Sequence, residues 1–456
     1  MTICDMPATE LLRAMREGKF SAQSVMAAFL DRIEKRNPTH NAIISLRPRD
    51  ELMAEARAAD ATAPVGKLHG LPMAIKDLAM TKGLRTTYGS PIFAQNVPQE
   101  DDLFVARIRA AGAILIGKTN TPEFGLGSQT YNSLFGTTRN ALNPKLIAGG
   151  SSGGAAVAVA LGMLPMADGS DMGGSLRNPA AFNGVYGFRP SQGRVPCISD
   201  ADQYFSQLST DGPIARNVQD LALLASVQAG PHDQAPLSLP ESGDLFDVPI
   251  TATPARIGWI ANIDKLLPIE PGITSLCQST LAKFAAKGCT VESLELEFDL
   301  EALWQAFKVL RQTSSGTGLG VYYDKPETRR LLKPEAVWEV EQSRKLTARQ
   351  IYEASILRTS WLHYLLKCFA RFDCLALPTA QVFAFPAEIH WPKEINAIPM
   401  DSYHRWMQIV TPGTMSGCPV INVPAGLDEQ GRAMGMQIIG KPKADVELLR
   451  IAACGA

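Results

Sequence analysis

Residues 149–190 carry the feature that most constrains the fold, two clusters of glycine and serine joined by a run of small apolar residues. The first cluster is GGSSGG (149–154) and the second is GGS (173–175). Glycines at this density cost conformational entropy, so they indicate that the backbone approaches another group closely or adopts φ values that other residues avoid. Ser151 and Ser175 lie within these clusters, and both are therefore candidates for chemistry.

Length and composition exclude several classes of protein. The chain has 456 residues, 46% of them hydrophobic and 20% charged, with a formal charge of −1. This composition is typical of a globular protein, and the balanced charge argues against a nucleic-acid or anionic-membrane partner. No apolar run approaches the roughly 20 residues that span a bilayer, and the N-terminus lacks the pattern of an export signal. The eight cysteines form no CxxC pair and the six histidines no HExxH arrangement. We therefore expect reduced thiols, a cytoplasmic location and no metal site.

The order of the predicted elements indicates an α/β protein. Helical periodicity covers about 8–60, and short apolar runs broken by glycine and proline fill about 69–227. A helical insert covers about 301–370, after which core strands return at about 374–440. Alternation of this kind predicts a sheet covered by helices on both faces. Because core strands return after the insert, we expect one domain across 1–456.

One alternative is a nucleotide site at GAILIGKT (Gly112–Thr119), which fits the phosphate-loop pattern GxxxxGK[ST]. The middle residues of such a loop must leave the strand so that their N–H groups face phosphate. Here those residues are Ala-Ile-Leu-Ile, which favour a strand buried on both sides. A core strand followed by a turn is therefore the preferred interpretation.

A second alternative is a nucleophile elbow at GGSSG (149–153), which fits the pattern GxSxG. That elbow requires a hydrophobic strand immediately before it. The preceding residues, 143–148, include a proline that argues against a central strand. A triad would also need a later acid and a histidine, and His232, His363, His390 and His404 have no supporting context.

Lys76 is the candidate base, because it follows the apolar run PMAI (72–75). A lysine can deprotonate a serine only if its pKa falls from about 10.4, and burial among apolar groups lowers the pKa of an amine. A surface lysine at the end of a strand is the alternative. The segment DMGGS (171–175) places a hydroxyl after consecutive backbone N–H groups in a glycine-rich turn, which suits an oxyanion hole. A purely structural turn is the alternative there.

Taken together, these motifs closely resemble the amidase signature family. The resemblance rests on seven blocks in order, GLPMAIKD (70–77), GAILIGKTNTPEFG (112–125), FGTTRNALNP (135–144), GGSSGG (149–154), GSDMGGSLRNPA (169–180), GVYGFRPSQGRVP (184–196) and DGPIARNVQDLALL (211–224). It continues more weakly through CLALPTA (374–380), GCPVINVPAG (417–426) and GMQIIG (435–440). It implies a Ser–Ser–Lys amidohydrolase that needs no metal or organic cofactor. The expected fold is a large mixed, mostly parallel β-sheet flanked by helices.

The resemblance also implies roles for individual residues. The family's base matches Lys76, its relay serine Ser151 and its nucleophile Ser175. Members of the family hold the relay serine after a cis peptide bond, which here is Gly150–Ser151. The oxyanion hole would consist of the backbone of Met172, Gly173, Gly174 and Ser175.

Neighbouring positions complete the predicted site. Asp171 and Arg177 match family positions that brace the nucleophile loop, so we interpret them as structural. The expected substrate-binding residues, near the mouth of the site, are Gly127, Ser128 and Gln129. The segments 301–370 and 380–410 either close the pocket or belong to the core.

The predicted activity is hydrolysis of a carboxylic acid amide to an acid plus ammonia or an amine. The alternative within the family is the glutaminase component of a tRNA-dependent amidotransferase, which needs a cation for the glutamine α-carboxylate as well as a partner subunit. Arg311, Arg358 and Arg405 are candidates for that cation. The alternative from another class is a nucleotide-binding protein that uses Gly112–Thr119. The expected partner is a small-molecule amide, and a homodimer is compatible with the resemblance.

Overall fold

The computed structural model describes residues 2–198 and 202–455. Its helices, in chain order, are α1 Ala8–Arg16, α2 Ala22–His40, α3 Arg49–Asp60, α4 Leu103–Ala110, α5 Gly153–Ala160, α6 Arg177–Asn183, α7 Val218–Gln228, α8 Ile263–Leu266, α9 Ile273–Ala286, α10 Leu300–Arg311, α11 Thr317–Tyr323, α12 Pro326–Arg329, α13 Pro334–Ser343, α14 Ala348–Phe369, α15 Thr411–Ser416 and α16 Asp445–Ala452. Its strands are β1 Ile43–Ile44, β2 Pro72–Lys76, β3 Ile114–Thr119, β4 Tyr131–Asn132, β5 Gly136–Thr137, β6 Met166–Asp171, β7 Tyr186–Arg189, β8 Thr210–Ala215, β9 Arg256–Ile260, β10 Thr290–Leu294, β11 Cys374–Pro378, β12 Glu394–Ile395, β13 Ile398–Pro399, β14 Val420–Leu427 and β15 Ala433–Gly440.

Eight strands form one large mixed sheet in the order β10-β9-β11-β15-β14-β7-β8-β6. The mixed character is confirmed, but the expected mostly parallel pairing is corrected. Among the described strands of this sheet, only β10–β9 and β9–β11 pair in parallel, whereas the pairings from β11 through β6 are antiparallel. For β14 and β15 the reason is a short hairpin, which reverses the chain direction between these two neighbours. The C-terminal strands thus complete the same sheet as the N-terminal half of the chain.

Helices cover both faces of the large sheet, as predicted. Adjacent residues of one strand point to opposite faces. Ile438 packs in the core beneath α7, α9 and α16, whereas Ile439 packs in the core beneath α10 and α14. Ile214 on β8 faces a third core, which α5 fills with alanine and valine side chains.

The region predicted to be helical, about 8–60, contains α1, α2 and α3, and Ser21 caps α2 by accepting a hydrogen bond from the Ser24 N–H. They pack beside a small sheet of order β1-β3-β2. The predicted core strand within the GAILIGKT segment is β3, which continues through Lys118 to Thr119. Lys118 is fully buried and donates hydrogen bonds to the Ala79 carbonyl and the Thr81 hydroxyl. This segment therefore has no loop that could hold a phosphate.

All eight cysteines are free thiols, and all but Cys197 are buried. Within residues 2–198 and 202–455, no helix combines the length and the apolar character needed to cross a membrane.

Candidate active site

Lys76 ends the fully buried strand β2, and its Nζ lies among three hydroxyl groups. The distances are 2.8 Å to Oγ of Ser151, 2.8 Å to Oγ of Ser152 and 2.9 Å to Oγ of Ser170. Burial lowers the pKa of Lys76 to about 7, against the opposing effect of nearby carboxylates, of which Asp168 is the foremost. A neutral amine can donate two hydrogen bonds and accept one. Three hydroxyl neighbours suit this neutral amine and a charged ammonium with three donors alike. The lowered pKa is what favours the form that can take a proton.

Ser151 and Ser152 precede α5, and the peptide bond Gly150–Ser151 is cis, as the resemblance implies. Glycine is required after these serines, because another backbone segment lies too close for a Cβ atom. A Cβ on Gly154 would lie 2.3 Å from the backbone nitrogen of Asn120. Close packing of α5 therefore holds the serine pair against the end of β2.

Ser175 lies beside this pair, because the Ser152 N–H donates to the Ser175 carbonyl over 3.2 Å. Its side chain lines the same cavity as Ser151. Among the residues that the structure describes, none forms a hydrogen bond with the Ser175 hydroxyl. The structure thus brings Lys76, Ser151 and Ser175 together, with a hydrogen bond between the first two and an unengaged hydroxyl on the third.

The loop Met172–Ser175 presents backbone N–H groups next to that hydroxyl. The Gly174 N–H is engaged, because it donates to Oδ1 of Asp171 over 2.8 Å. The N–H groups of Met172, Gly173 and Ser175 have no acceptor in the described part of the chain. Three members of the predicted oxyanion hole can therefore donate to a ligand, and Gly174 instead shapes the turn with a φ of +89°.

Asp171 and Arg177 brace this loop through a fully buried ion pair, with 2.9 Å between Arg177 Nε and Asp171 Oδ2. Arg177 also donates to Oγ1 of Thr414 and to the Val410 carbonyl. Although burial opposes ionisation, the Arg177 guanidinium holds the pKa of Asp171 well below its usual range. The structure thus supports the structural interpretation of both residues.

The cavity above Ser175 has a volume of about 100 Å³. Its apolar wall includes Phe307 and Met407, which would lie 3.4 and 3.7 Å from a Cβ on Gly173. Segments 301–370 and 380–410 both contribute to the lining. Trp406, in the second segment, belongs to the core.

The three expected substrate-binding residues occupy different places in the structure. Gly127 lines the cavity, but Ser128 and Gln129 do not. Ser128 Oγ donates to the Gly150 carbonyl, and Gln129 Nε2 donates to the Ala387 carbonyl. Both side chains are buried behind the wall, where they hold backbone segments in place.

Of the three candidate arginines, only Arg311 lines the cavity. Arg358 donates to backbone and glutamine groups elsewhere, and Arg405 pairs with Glu301 near the surface.

Sequence reasoning missed the hydroxyls of Ser152 and Ser170, although both serines lie inside the quoted motifs. It also missed His404, which lines the cavity.

Comparison with known proteins agrees with this geometry. The model of the family described as Amidase matches residues 24–449. The chain belongs to the amidase signature family. An acylamidase of Rhodococcus erythropolis is 31% identical over 98% of this chain and 94% of its own length. The A component of the glutamyl-tRNA(Gln) amidotransferase of Thermus thermophilus is 34% identical, over 98% of this chain and 96% of its own.

A solved structure of a bacterial aryl acylamidase of the same family superposes with a TM-score of 0.91 and 29% sequence identity. It covers 99% of this chain, which in turn covers 95% of that one. The chain is therefore an amidase signature hydrolase that acts on amide C–N bonds.

Proposed function

We propose that this amidase uses Ser175 as nucleophile, Ser151 as proton relay and Lys76 as base. The observation that carries the proposal is the buried contact of 2.8 Å between Lys76 Nζ and Ser151 Oγ, beside the unengaged Ser175 hydroxyl. The relay requires the two serine hydroxyls to come within hydrogen-bond reach in the substrate complex. Catalytic hydrogen bonds that are long without substrate often tighten in this way.

In the proposed reaction, neutral Lys76 accepts the Ser151 proton while Ser151 accepts the proton of Ser175. The Ser175 oxygen bonds to the amide carbon, and the N–H groups of Met172, Gly173 and Ser175 stabilise the resulting oxyanion. The C–N bond then breaks as the relay returns a proton to the leaving nitrogen. Water hydrolyses the acyl-enzyme by the reverse proton path and releases the acid.

The proposed substrates are compact carboxylic acid amides. A cavity of about 100 Å³ with Phe307 and Met407 against the oxyanion loop supports a small acyl or amine portion with an apolar part. The product is an acid together with ammonia or an amine.

Labelling with a fluorophosphonate tests the assignment of the nucleophile. Ser175→Ala should abolish both labelling and amide hydrolysis, because the attacking oxygen is removed. Ser209→Ala is the matched control, since Ser209 lines the same cavity but is not among the serines that Lys76 hydrogen-bonds. Full-rate labelling of the Ser175→Ala protein would show that another residue is the nucleophile.

The second candidate function is that of a glutaminase within a multi-subunit amidotransferase, which the similarity to the Thermus thermophilus protein favours. Against it, the one candidate arginine that lines the cavity, Arg311, is already paired with Glu339. Glutamine hydrolysis with ammonia transfer to charged tRNA in the presence of the other subunits would support this candidate. Hydrolysis of neutral amides by the isolated chain would favour the first.

A further inference from the structure

A second cavity, of about 320 Å³, lies beside Lys76, and we refer to it as the lysine-side cavity. It adjoins the cavity above Ser175, because four residues line both of them, namely Leu78, Phe124, Ser170 and Ser209. Lys76 lines only the lysine-side cavity, whereas Phe307 and Met407 line only the cavity above Ser175. A substrate bound at Ser175 can therefore extend into two different environments.

The proposed reaction decides which part of the substrate enters the lysine-side cavity. The proton that the leaving nitrogen receives comes from Ser151, which is hydrogen-bonded to Lys76. That nitrogen must therefore lie on the Lys76 side of the carbon that Ser175 attacks. The acyl portion then faces Phe307 and Met407, and the portion attached to the nitrogen points toward the lysine-side cavity.

Three carboxylates line the lysine-side cavity, those of Asp102, Asp168 and Asp211. Asp168 and Ser170 are two residues apart on β6, so they lie on one face, and Asp211 on β8 is the cross-strand partner of Ser170. Asp102 and Asp211 are only half-buried, so a ligand can reach them. The Asp211 carboxylate forms no hydrogen bond with any residue that the structure describes. It is therefore available to a ligand.

The charge of these carboxylates is not balanced within the cavity. Burial raises the pKa of Asp168 to about 6 and the pKa of Asp211 to about 7, so both are mostly ionised at pH 8. Lys76 is the one basic side chain among the described lining residues. Because burial lowers its pKa to about 7, it is mostly neutral at that pH. The lining is therefore negatively charged under the conditions in which Lys76 can serve as base.

The other titratable groups nearby leave this negative charge in place. Burial raises the pKa of both Tyr88 and Cys197 to about 12, so these two lining residues are neutral. Lys118 lies outside the lining, where it donates to the Ala79 carbonyl. Its charge acts on Asp77 as well as on the cavity carboxylates. A single cation that is shared in this way does not neutralise the lining.

Aromatic side chains form another part of the wall, namely Tyr88, Phe104 and Phe124. Aromatic rings attract organic cations as well as apolar methylene groups. Tyr88 and Phe124 have φ values of +54° and +51°, and the Tyr88 carbonyl accepts from the Phe124 N–H over 2.8 Å, so the two residues are held together. Across the described residues, no three carboxylate, histidine or cysteine side chains are arranged to hold a metal ion. Separate carboxylates beside aromatic rings suit an alkylammonium group instead.

We infer that the lysine-side cavity binds the amine portion of the substrate and selects amides in which that portion ends in an ammonium group, such as singly acylated diamines. The ammonium group donates to Asp211, and the methylene chain contacts the aromatic wall. A neutral amine portion of the same length gains no charged hydrogen bond, which lowers kcat/KM by roughly tenfold or more. This inference rests on the proposed function, since the cavity serves the hydrolysis at Ser175.

The test is a series of N-substituted acetamides with straight-chain amine portions of increasing length, each ending in an ammonium, methyl, hydroxyl or carboxylate group. Acetate release at pH 8 gives kcat/KM for each member. At the best length, the ammonium form should exceed the methyl form about tenfold or more, and the carboxylate form should be the poorest. Equal values for the ammonium and methyl forms at every length would overturn the inference. Turnover of unsubstituted amides without turnover of any ammonium-ended member would overturn it as well.

Variants at Asp211 test the subsite separately from the proton relay. Asp211→Asn keeps the size of the side chain but removes its charge, so the ammonium-to-methyl ratio should fall at least about threefold, while Asp211→Glu should retain most of it. Asp211 also raises the pKa of Lys76, but that effect is common to all four substrates and cancels in the ratio. Asp264→Asn is the matched control, because Asp264 is exposed on α8 and lies outside the cavity lining.

The inference and the proposed function fail differently in these assays. Normal fluorophosphonate labelling of Ser175 in Asp211→Asn shows that the variant is folded. Such labelling together with an unchanged ratio would overturn the subsite alone, whereas a lowered ratio would support it. Labelling that does not depend on Ser175 would overturn the proposed function, whatever the ratio.

Discussion

The burial of Lys76 predicts a specific pH dependence for amide hydrolysis. Only the neutral amine can accept the Ser151 proton, and burial lowers the pKa of Lys76 to about 7. The neutral fraction is then about 10% at pH 6, about 50% at pH 7 and about 90% at pH 8. We therefore expect kcat/KM to rise about tenfold from pH 6 to pH 8 and then to level off. A lysine with an ordinary pKa near 10.4 would instead give a rise of about a hundredfold and no plateau.

The assay measures ammonia release from one neutral amide at subsaturating concentration, in buffers of constant ionic strength. Lys76→Arg provides the companion test, because a guanidinium stays charged throughout this range and cannot serve as base. That variant should lose about 10²–10⁴ in kcat at every pH. A flat profile in the unsubstituted enzyme, or full activity in Lys76→Arg, would refute the assignment of the base.

Three further predictions follow from the surroundings of the site. Asp168→Asn removes the carboxylate that most opposes the lowered pKa of Lys76, so the midpoint of the kcat/KM profile should move to lower pH. Arg177→Met leaves the buried Asp171 carboxylate without its partner, and urea unfolding should show a loss of about 3–5 kcal/mol. Gly174→Ala should lower kcat at least about tenfold in the amide assay, because an alanine is strained at a φ of +89° and its Cβ would lie 2.8 Å from a valine side chain.

Each of these changes has a matched control outside the site. Asp264→Asn removes an exposed carboxylate and should leave the midpoint in place. Arg349→Met breaks an exposed ion pair, so the free energy of unfolding should not change measurably. Gly184 has a φ of +67°, but a Cβ there would have no atom within 4 Å. Gly184→Ala should therefore affect stability without the loss in kcat. Equal effects in a variant and its control would contradict the local explanation.

Local sequence determined most of the elements and indicated the three proposed catalytic residues. The apolar run before Lys76 predicts a buried strand end, and the structure places the lysine there. The glycines around Ser151 and Ser175 predict close backbone approach, and the short Cβ distances at Gly154 and Gly174 explain why no other residue fits. The apolar run and the glycine clusters are local patterns that the sequence contains, whereas the atoms that these glycines approach belong to distant residues, Asn120 and Val410.

Tertiary structure alone decided which distant residues meet. The mostly antiparallel pairing of the large sheet depends on the order in which strands associate, and strand periodicity does not encode that order. The same holds for the cavity wall, where Arg311 and His404 are more than ninety residues apart in sequence and flank one oxygen of Glu339. An isolated histidine in a sequence shows neither its burial nor its partners. Only the folding of α10 and the segment before α15 over the Ser175 loop turns these residues into part of a site.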